Sequence, residues 1–238
     1  MKAIIVAGGR GERLRPITNT IPKPMVEVNG KPILLHIINL FNGYGIKNFI
    51  IAFCYLPEVI VSYFGDGSKF GVKITYTYEN PKKPLGTAGA ISLAKNLITG
   101  TFIVTYADIL RDLDIKKMVD FHNSNKAFST INIYQRESKD ARSKIVIDYK
   151  NQVIKFIERP TENELQEDYI LTNGSFYILE PKIFKFIPEN TKYDFGLDVF
   201  PELLKTNKNI YAYPTAGYFI DIGNHEKLEY ARKSFSNI

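Results

Sequence analysis

Lys2-Ala3-Ile4-Ile5-Val6-Ala7-Gly8-Gly9-Arg10-Gly11-Glu12-Arg13-Leu14-Arg15-Pro16, followed six residues later by Pro22-Lys23-Pro24-Met25, decides how this chain is read. The opening six residues are short, apolar and β-branched, and glycine stops them, which predicts a buried strand of a parallel sheet. Three glycines then let the backbone turn sharply and bring its N–H groups close to a bulky anion. Arg10, Arg13, Arg15 and Lys23 crowd cations around that turn. A strand feeding a glycine-rich cationic loop is a phosphate-holding device.

Two common glycine motifs are excluded. The dinucleotide fingerprint starting at Gly9 requires glycine where Leu14 stands, and the Walker pattern requires a Gly-Lys-Ser/Thr that the chain lacks. A dinucleotide-dependent oxidoreductase therefore fails at Leu14.

Outward from the loop, 238 residues suffice for one sizeable core, and 45% hydrophobic with 24% charged residues is ordinary for a globular protein. The net charge of +6 suits phosphorylated small molecules, and no dense Lys/Arg stripe points to nucleic acid. Cys54 is the single cysteine, so no internal disulfide forms, in keeping with a reducing cytoplasm. Its apolar surroundings favour a buried small residue over a nucleophile. The apolar stretch before Gly8 is too short for a signal peptide, and the longest apolar region, 49–64, is broken by Pro57 and Glu58. A soluble cytoplasmic protein is expected.

Strand and helix patterns alternate through the first half. Helices are predicted over 32–41, 56–64, 86–97 and 115–122, and strands over 48–52, 72–78 and 101–105. This order implies an α/β fold, a mostly parallel central sheet with helices on both faces. In the second half strand candidates crowd together (128–134, 144–148, 152–157, 171–179), predicting a small antiparallel section, and helices close the chain at 195–205 and 226–235.

The motif Gly8-Gly9-x-Gly11-x-Arg13-Leu14-x-Pro16-x-Thr18, with Pro22-Lys23-Pro24-Met25, resembles the signature of the sugar-1-phosphate nucleotidyltransferases, or nucleotide-sugar pyrophosphorylases. The likeness continues in order through Leu85-Gly86-Thr87-Ala88-Gly89-Ala90, Tyr106-Ala107-Asp108, Ile157-Glu158-Arg159-Pro160, Asn173-Gly174 and Phe219-Ile220-Asp221-Ile222-Gly223. It implies a Rossmann-like single domain over 1–238: a nucleotide-binding half to about residue 125, a sugar-phosphate-binding half to about 223, and a closing helix over 224–238. No hexapeptide repeat follows residue 223, so the β-helix domain of some longer members is not expected in this chain.

The resemblance implies that a sugar 1-phosphate oxygen attacks the α-phosphate of a nucleoside triphosphate and pyrophosphate leaves. It assigns catalysis to Arg13, Lys23 and Asp108, and nucleotide binding to Ala7, Gly8, Gly9, Gly11, Glu12, Glu79, Gly86 and Thr87. Phosphoryl-type transfer demands positioning and charge neutralisation more than covalent chemistry, and the loop amides with Arg13 and Lys23 meet that demand. Mg²⁺ is the implied cofactor, with Asp108 and Asp221 as ligands, each just past an apolar strand. Glycine at 86 and 89 permits flat approach of a base whose edge exposed N–H groups would read. At Glu79 a carboxylate, an acceptor only, suits the N1–H and N2 donors of guanine.

Glu158, Arg159 and Asn173 are the implied sugar-phosphate contacts, with Lys144 added. Two positions depart from the family: Arg159 stands where relatives place lysine, and Lys144 where they commonly place glycine fourteen residues before the glutamate. Arginine keeps the charge and adds a bidentate fork; Lys144 either adds a phosphate contact or reshapes the sugar pocket. The base-side motif is most similar to mannose-1-phosphate and heptose-1-phosphate guanylyltransferases, and Pro22–His36 and Thr105–His122 also resemble glucose-1-phosphate cytidylyltransferases. GTP with mannose 1-phosphate is the leading pair, with cytidylyl, thymidylyl and uridylyl transfer as alternatives. A catalytically silent nucleotide-sugar-binding regulatory subunit is disfavoured because Arg13, Lys23, Asp108 and Asp221 are all present. The expected partners are the two substrates, with neither nucleic acid nor membrane; homo-oligomerisation is compatible with the sequence.

Overall fold

The computed structural model describes residues 1–235. Its first elements in chain order are β1 (Lys2–Val6), β2 (Glu27–Val28), β3 (Lys31–Pro32), α1 (Ile33–Gly43), β4 (Asn48–Phe53), α2 (Pro57–Phe64) and β5 (Lys73–Tyr78). There follow α3 (Gly86–Ser92), β6 (Phe102–Tyr106), β7 (Ile109–Arg111), α4 (Ile115–Ser124), β8 (Ser129–Glu137), β9 (Ser143–Ile147) and β10 (Val153–Glu158). The chain closes with β11 (Tyr169–Leu179), α5 (Phe200–Lys205), β12 (Ile210–Pro214), β13 (Phe219–Asp221) and α6 (His225–Ser234). The fold is of the expected α/β class. No helix among the described residues is long and apolar enough to cross a membrane.

Two compact units interleave along the chain: residues 1–84, 105–115 and 217–238 form one, and residues 85–104 with 116–216 form the other. In the first unit β1 pairs parallel with β4, and β4 parallel with β5, in unbroken register from Lys2↔Asn48 and Asn48↔Lys73. Ile4, Ile5, Ile51 and Phe53 are fully buried there, as apolar runs covered on both faces require. Two short ribbons complete this unit. β2 and β3 form a hairpin whose turn, Asn29-Gly30, takes positive φ at both residues, the geometry that Asn-Gly supplies. β7 pairs antiparallel with β13, matching Ile109 to Asp221.

The second unit is mostly antiparallel, as the crowded strand candidates predict. β8 pairs with β11, and β9 with both β10 and β11. The register of β11 on β8 shifts between Asn173 and Tyr177. β12, absent from the sequence prediction, adds in parallel to β8. Its Pro214 lacks an amide donor and stands at the strand's last position, where a sheet tolerates it. An aromatic cluster of Phe156, Tyr177, Phe195 and Phe200 fills the core beneath, with ring centroids 4.8–5.6 Å apart.

Two predicted helices differ in detail. The helix expected over 86–97 stops at Ser92, whose hydroxyl donates to the Gly89 carbonyl at 2.7 Å. The chain then tightens into a 3-10 turn, Lys95–Leu97. The helix expected over 195–205 opens as a π-helical turn, Phe195–Val199, before α5. The closing helix expected over 224–238 is α6, capped by Asn224 Oδ1 on the Lys227 amide at 2.9 Å; residues 236–238 lie outside the described residues.

Candidate active site

In the first unit the glycine loop is held from both sides. Gly11 adopts φ +64°, and a Cβ there would come within 2.9 Å of Thr18 Cγ2 and 3.2 Å of Lys23 Cβ, so glycine is required by conformation and by space. The Thr18 hydroxyl donates to the Gly11 carbonyl at 2.8 Å, and the Tyr55 hydroxyl to the Thr18 carbonyl at 3.0 Å. Leu14, fully buried, anchors the 3-10 turn Glu12–Leu14, and Ala7 continues β1 by donating to Ala52 O at 2.7 Å. A Cβ at Gly9 would meet no atom within 4 Å, so that face of the loop is open. Glu12 is exposed, with Arg15 as its ion-pair partner at 3.7 Å.

Lys23 follows Pro22 into a 3-10 turn that buries its backbone, and its ammonium lies 2.5 Å from Asp108 Oδ2 and 3.7 Å from Asp221 Oδ1. The pairing of β13 with β7 brings the two aspartates together, and the Ile222 amide donates to the Asp108 carbonyl at 2.9 Å. Gly223 makes room for Arg13: a Cβ there would stand 3.2 Å from the guanidinium. Gly11, Arg13, Lys23, Asp108 and Asp221 thus converge from four sequence motifs.

Glu79 is buried against the start of the same loop, its Oε1 2.9 Å from the place a Gly8 Cβ would occupy. The Cys54 thiol donates to the Gly8 carbonyl at 3.1 Å. Burial, then the Glu79 charge, pushes this thiol above its ordinary range, which suits a packed thiol and not a nucleophile.

The second unit gathers Gly86, Thr87, Glu158, Arg159 and Asn173. Glu158 ends β10, and its carboxyl is pushed up to about 7 by desolvation and by the Asp194 charge, against the opposing pull of Arg159 and Arg142. Arg159 takes φ +54°, pinned by its amide on the Arg142 carbonyl at 2.9 Å. A left-handed arginine is the kind of backbone strain that accumulates at functional sites. Asn173 lies at the register shift of β11, where its Nδ2 donates to Tyr177 Oη at 2.8 Å and its Oδ1 accepts from the Ser175 amide at 2.9 Å. Gly174 cannot be replaced cheaply, since a Cβ would run into Asn132 and Tyr134.

Two of the expected contact groups are already engaged within the second unit. Lys144 offers no open ammonium: Nζ donates to both carboxylate oxygens of Glu167 (2.6 and 2.8 Å) and to the Glu164 carbonyl (2.8 Å). Lys144 is thus held in an intramolecular ion pair with Glu167. The amides of Thr87, Ala88 and Gly89 are likewise not exposed for a base. The first donates to Asp194 Oδ1 and the other two to the Tyr193 carbonyl. Sequence reasoning missed Asp194 and Gly196, which follow no motif at a fixed offset.

Asp108 and Asp221 are hard oxygen donors, the kind magnesium takes in pairs before phosphate and water complete its shell. The Lys23 ammonium marks the place between them as one that draws a cation. Among the described residues no group of three or more His, Cys, Asp or Glu gathers, so this pair is the acidic set on offer.

A strand, a glycine-rich cationic loop and two aspartates brought together by the pairing of β7 with β13 make up this site of an α/β protein. The family model described as "Nucleotidyl transferase" matches residues 2–237, and the chain belongs to that family. It is 34% identical over 235 residues to a UTP–glucose-1-phosphate uridylyltransferase of Synechocystis, covering 94% of this chain and 60% of the relative. It is 33% identical over 226 residues to a mannose-1-phosphate guanylyltransferase of Mycobacterium tuberculosis, covering 94% and 61%. The chain therefore spans about 60% of the length of the curated relatives it matches. Among solved structures it superposes on HddC from Yersinia pseudotuberculosis, crystallised with GMP-PN, with a TM-score of 0.81, 30% identity and 99% of each chain covered.

Proposed function

We propose that this chain transfers a nucleotidyl group from a nucleoside triphosphate to a sugar 1-phosphate, with GTP and mannose 1-phosphate as the preferred pair. The observation that carries the reading is the Lys23 ammonium set between Asp108 and Asp221 beside the Gly8–Arg13 loop. In the reaction a phosphate oxygen of the sugar 1-phosphate forms a bond to the α-phosphorus, the bond from that phosphorus to the bridging oxygen breaks, and pyrophosphate carries away the electron pair. Amides of the open loop with Arg13 hold the β- and γ-phosphates and stabilise the charge gathering on the leaving group. Lys23 is a compact charge on a flexible stem, able to leave the aspartates and follow the α-phosphate oxygens. Asp108 and Asp221 would hold Mg²⁺, whose contribution when bound is neutralisation of phosphate charge.

On the acceptor side Glu158 takes hydrogen bonds from sugar hydroxyls and Arg159 grips the phosphate through its planar fork. Lys144 is left out of this set because Glu167 already satisfies it. On the base side, the two acceptor oxygens of buried Glu79 match the adjacent N1–H and N2 donors of guanine. Uracil presents one N–H between two carbonyl oxygens that a carboxylate repels. A uridylyl preference is the second reading, favoured by the 34% likeness to the Synechocystis protein.

Pyrophosphate release measured over GTP, UTP, CTP, dTTP and ATP, each with mannose, glucose and heptose 1-phosphates, tests the proposal. GTP with mannose 1-phosphate is expected to give the highest kcat/KM. Release with UTP and not GTP overturns the guanylyl choice, and silence with every pair overturns nucleotidyl transfer itself.

A further inference from the structure

The segment 191–196 is strapped across the first turn of α3. Tyr193 donates its amide to the Leu85 carbonyl at 2.8 Å, and its own carbonyl accepts from Ala88 and Gly89, each at 2.9 Å. Asp194 Oδ1 accepts from the Thr87 amide at 3.1 Å and from the Thr87 hydroxyl at 3.0 Å, while the Phe195 amide donates back to that hydroxyl at 3.1 Å. Gly86, at φ +73°, has Tyr193 O 2.8 Å and both Asp194 carboxylate oxygens 3.2 Å from where a Cβ would sit. Two residues further on, Gly196 lies so close to the Glu158 carboxylate that a Cβ would overlap it.

Asp194 is itself immobilised. Its amide donates to Asp198 Oδ2 at 2.7 Å, and its carbonyl accepts from Asp198 at 3.0 Å and Val199 at 3.1 Å, closing the π-helical turn. Such turns are frequent at functional sites. One carboxylate therefore fixes the Gly86–Thr87 turn, and its rigid neighbour Gly196 sets the wall against Glu158.

We propose that Asp194 is a positioning residue for both substrates, holding the Gly86–Thr87 turn for the nucleotide and, through the 194–196 segment, the Glu158 carboxylate for the sugar 1-phosphate. The inference rests on the nucleotidyl transfer proposed above. The charged groups facing Glu158 are Arg159 at the end of its own strand, Arg142 from the segment before β9, and Asp194 from the strap. Asp194 is the acidic member, so its charge disfavours ionisation of Glu158.

The test compares Asp194→Asn and Asp194→Ala with the parent chain, using GTP with mannose 1-phosphate and UTP with glucose 1-phosphate. Asp194→Ala loses the acceptor for Thr87 and is expected to raise both KM values about tenfold, with a smaller loss in kcat. Asp194→Asn keeps an acceptor oxygen and loses the charge. It should recover the nucleotide KM while moving the pH dependence of the sugar 1-phosphate KM downward by about half a unit or more. Unchanged KM values and pH profile in Asp194→Ala overturn the proposal. So does a matched fall in kcat and melting temperature with the pH profile unmoved, because that marks a merely structural residue.

Should the parent chain turn over no pair, the transfer reading fails separately. The positioning inference is then decided without substrate, by carboxyl ¹³C titration of Glu158, identified through its loss in Glu158→Gln. A lower titration midpoint in Asp194→Asn supports it, and an unmoved midpoint overturns it.

Discussion

The two constellations hold charge in opposite ways. In the first unit Lys23 lies against Asp108 at 2.5 Å and within 3.7 Å of Asp221, so opposite charges compensate each other beside the phosphate loop. In the second unit Glu158 is desolvated, with Asp194 opposing the help of Arg159 and Arg142. A compensated cluster is ready to exchange partners, trading an internal ion pair for phosphate and cation. A carboxyl poised near neutral pH is a group whose ligand affinity depends on protons. The difference teaches that a compensated ion-pair cluster and a carboxyl raised toward neutral pH can be broken separately.

The largest effect comes from the first. Asp108→Asn leaves the shape and removes the charge that Lys23 faces, and it halves the acidic donor pair. Turnover is expected to fall by about 10³-fold or more, with circular dichroism and melting temperature close to the parent. Activity within about tenfold of the parent would mean that Asp108 serves only to hold Lys23.

Next comes Glu158→Gln, which breaks the second site and leaves the first intact. The KM for the sugar 1-phosphate should rise about tenfold at pH 8, with the nucleotide KM unmoved. In the parent that KM should itself rise as pH falls below about 7, as the carboxylate protonates. The variant should lose this pH dependence. Stability runs the other way. With its carboxyl pushed up to about 7 in the folded chain, from an ordinary glutamate value of 4.5, this group contributes stability that is present below 4.5 and lost as pH rises through 7. Glu158→Gln is therefore expected to gain about 1–2 kcal/mol at pH 8, discounted for partial solvent screening, and almost nothing at pH 4. Denaturant melts at both pH values read the difference.

The same contrast explains what could be read in advance. The parallel strands announced themselves as apolar β-branched runs, Asp108 and Asp221 as acids just past apolar stretches, and Lys23 through the Pro-Lys-Pro motif that carries the family resemblance. What stayed hidden depended on contacts distant in sequence. Asp194 meets Thr87 across 107 positions, so no local pattern marks it as the residue that covers the α3 turn. β12 becomes a strand only because β8 offers it an edge, and β2, β3 and β7 are too short to show any period. The 86–97 helix ended early through one Ser92 hydroxyl on a backbone carbonyl, which propensity does not foresee.

The smallest expected effect sharpens the comparison at Lys144, one of the two positions read from the sequence as departures. If the second site held charge as the first does, Lys144 would be a reserve cation for the sugar phosphate. Its ammonium is instead saturated: three short hydrogen bonds, two to Glu167 and one to the Glu164 carbonyl, use all three of its donors. Glu167 responds as a partner should, its carboxyl held below the ordinary range first by the hydrogen bond from Lys144. Recruiting Lys144 to a phosphate would strip Glu167 of that bond and return it to water, so the net gain is small. Lys144→Met is thus expected to leave the KM for the sugar 1-phosphate within about twofold of the parent, because exposed ion pairs contribute little. A tenfold rise would place Lys144 among the phosphate ligands and give the second unit the same charge-exchanging character as the first.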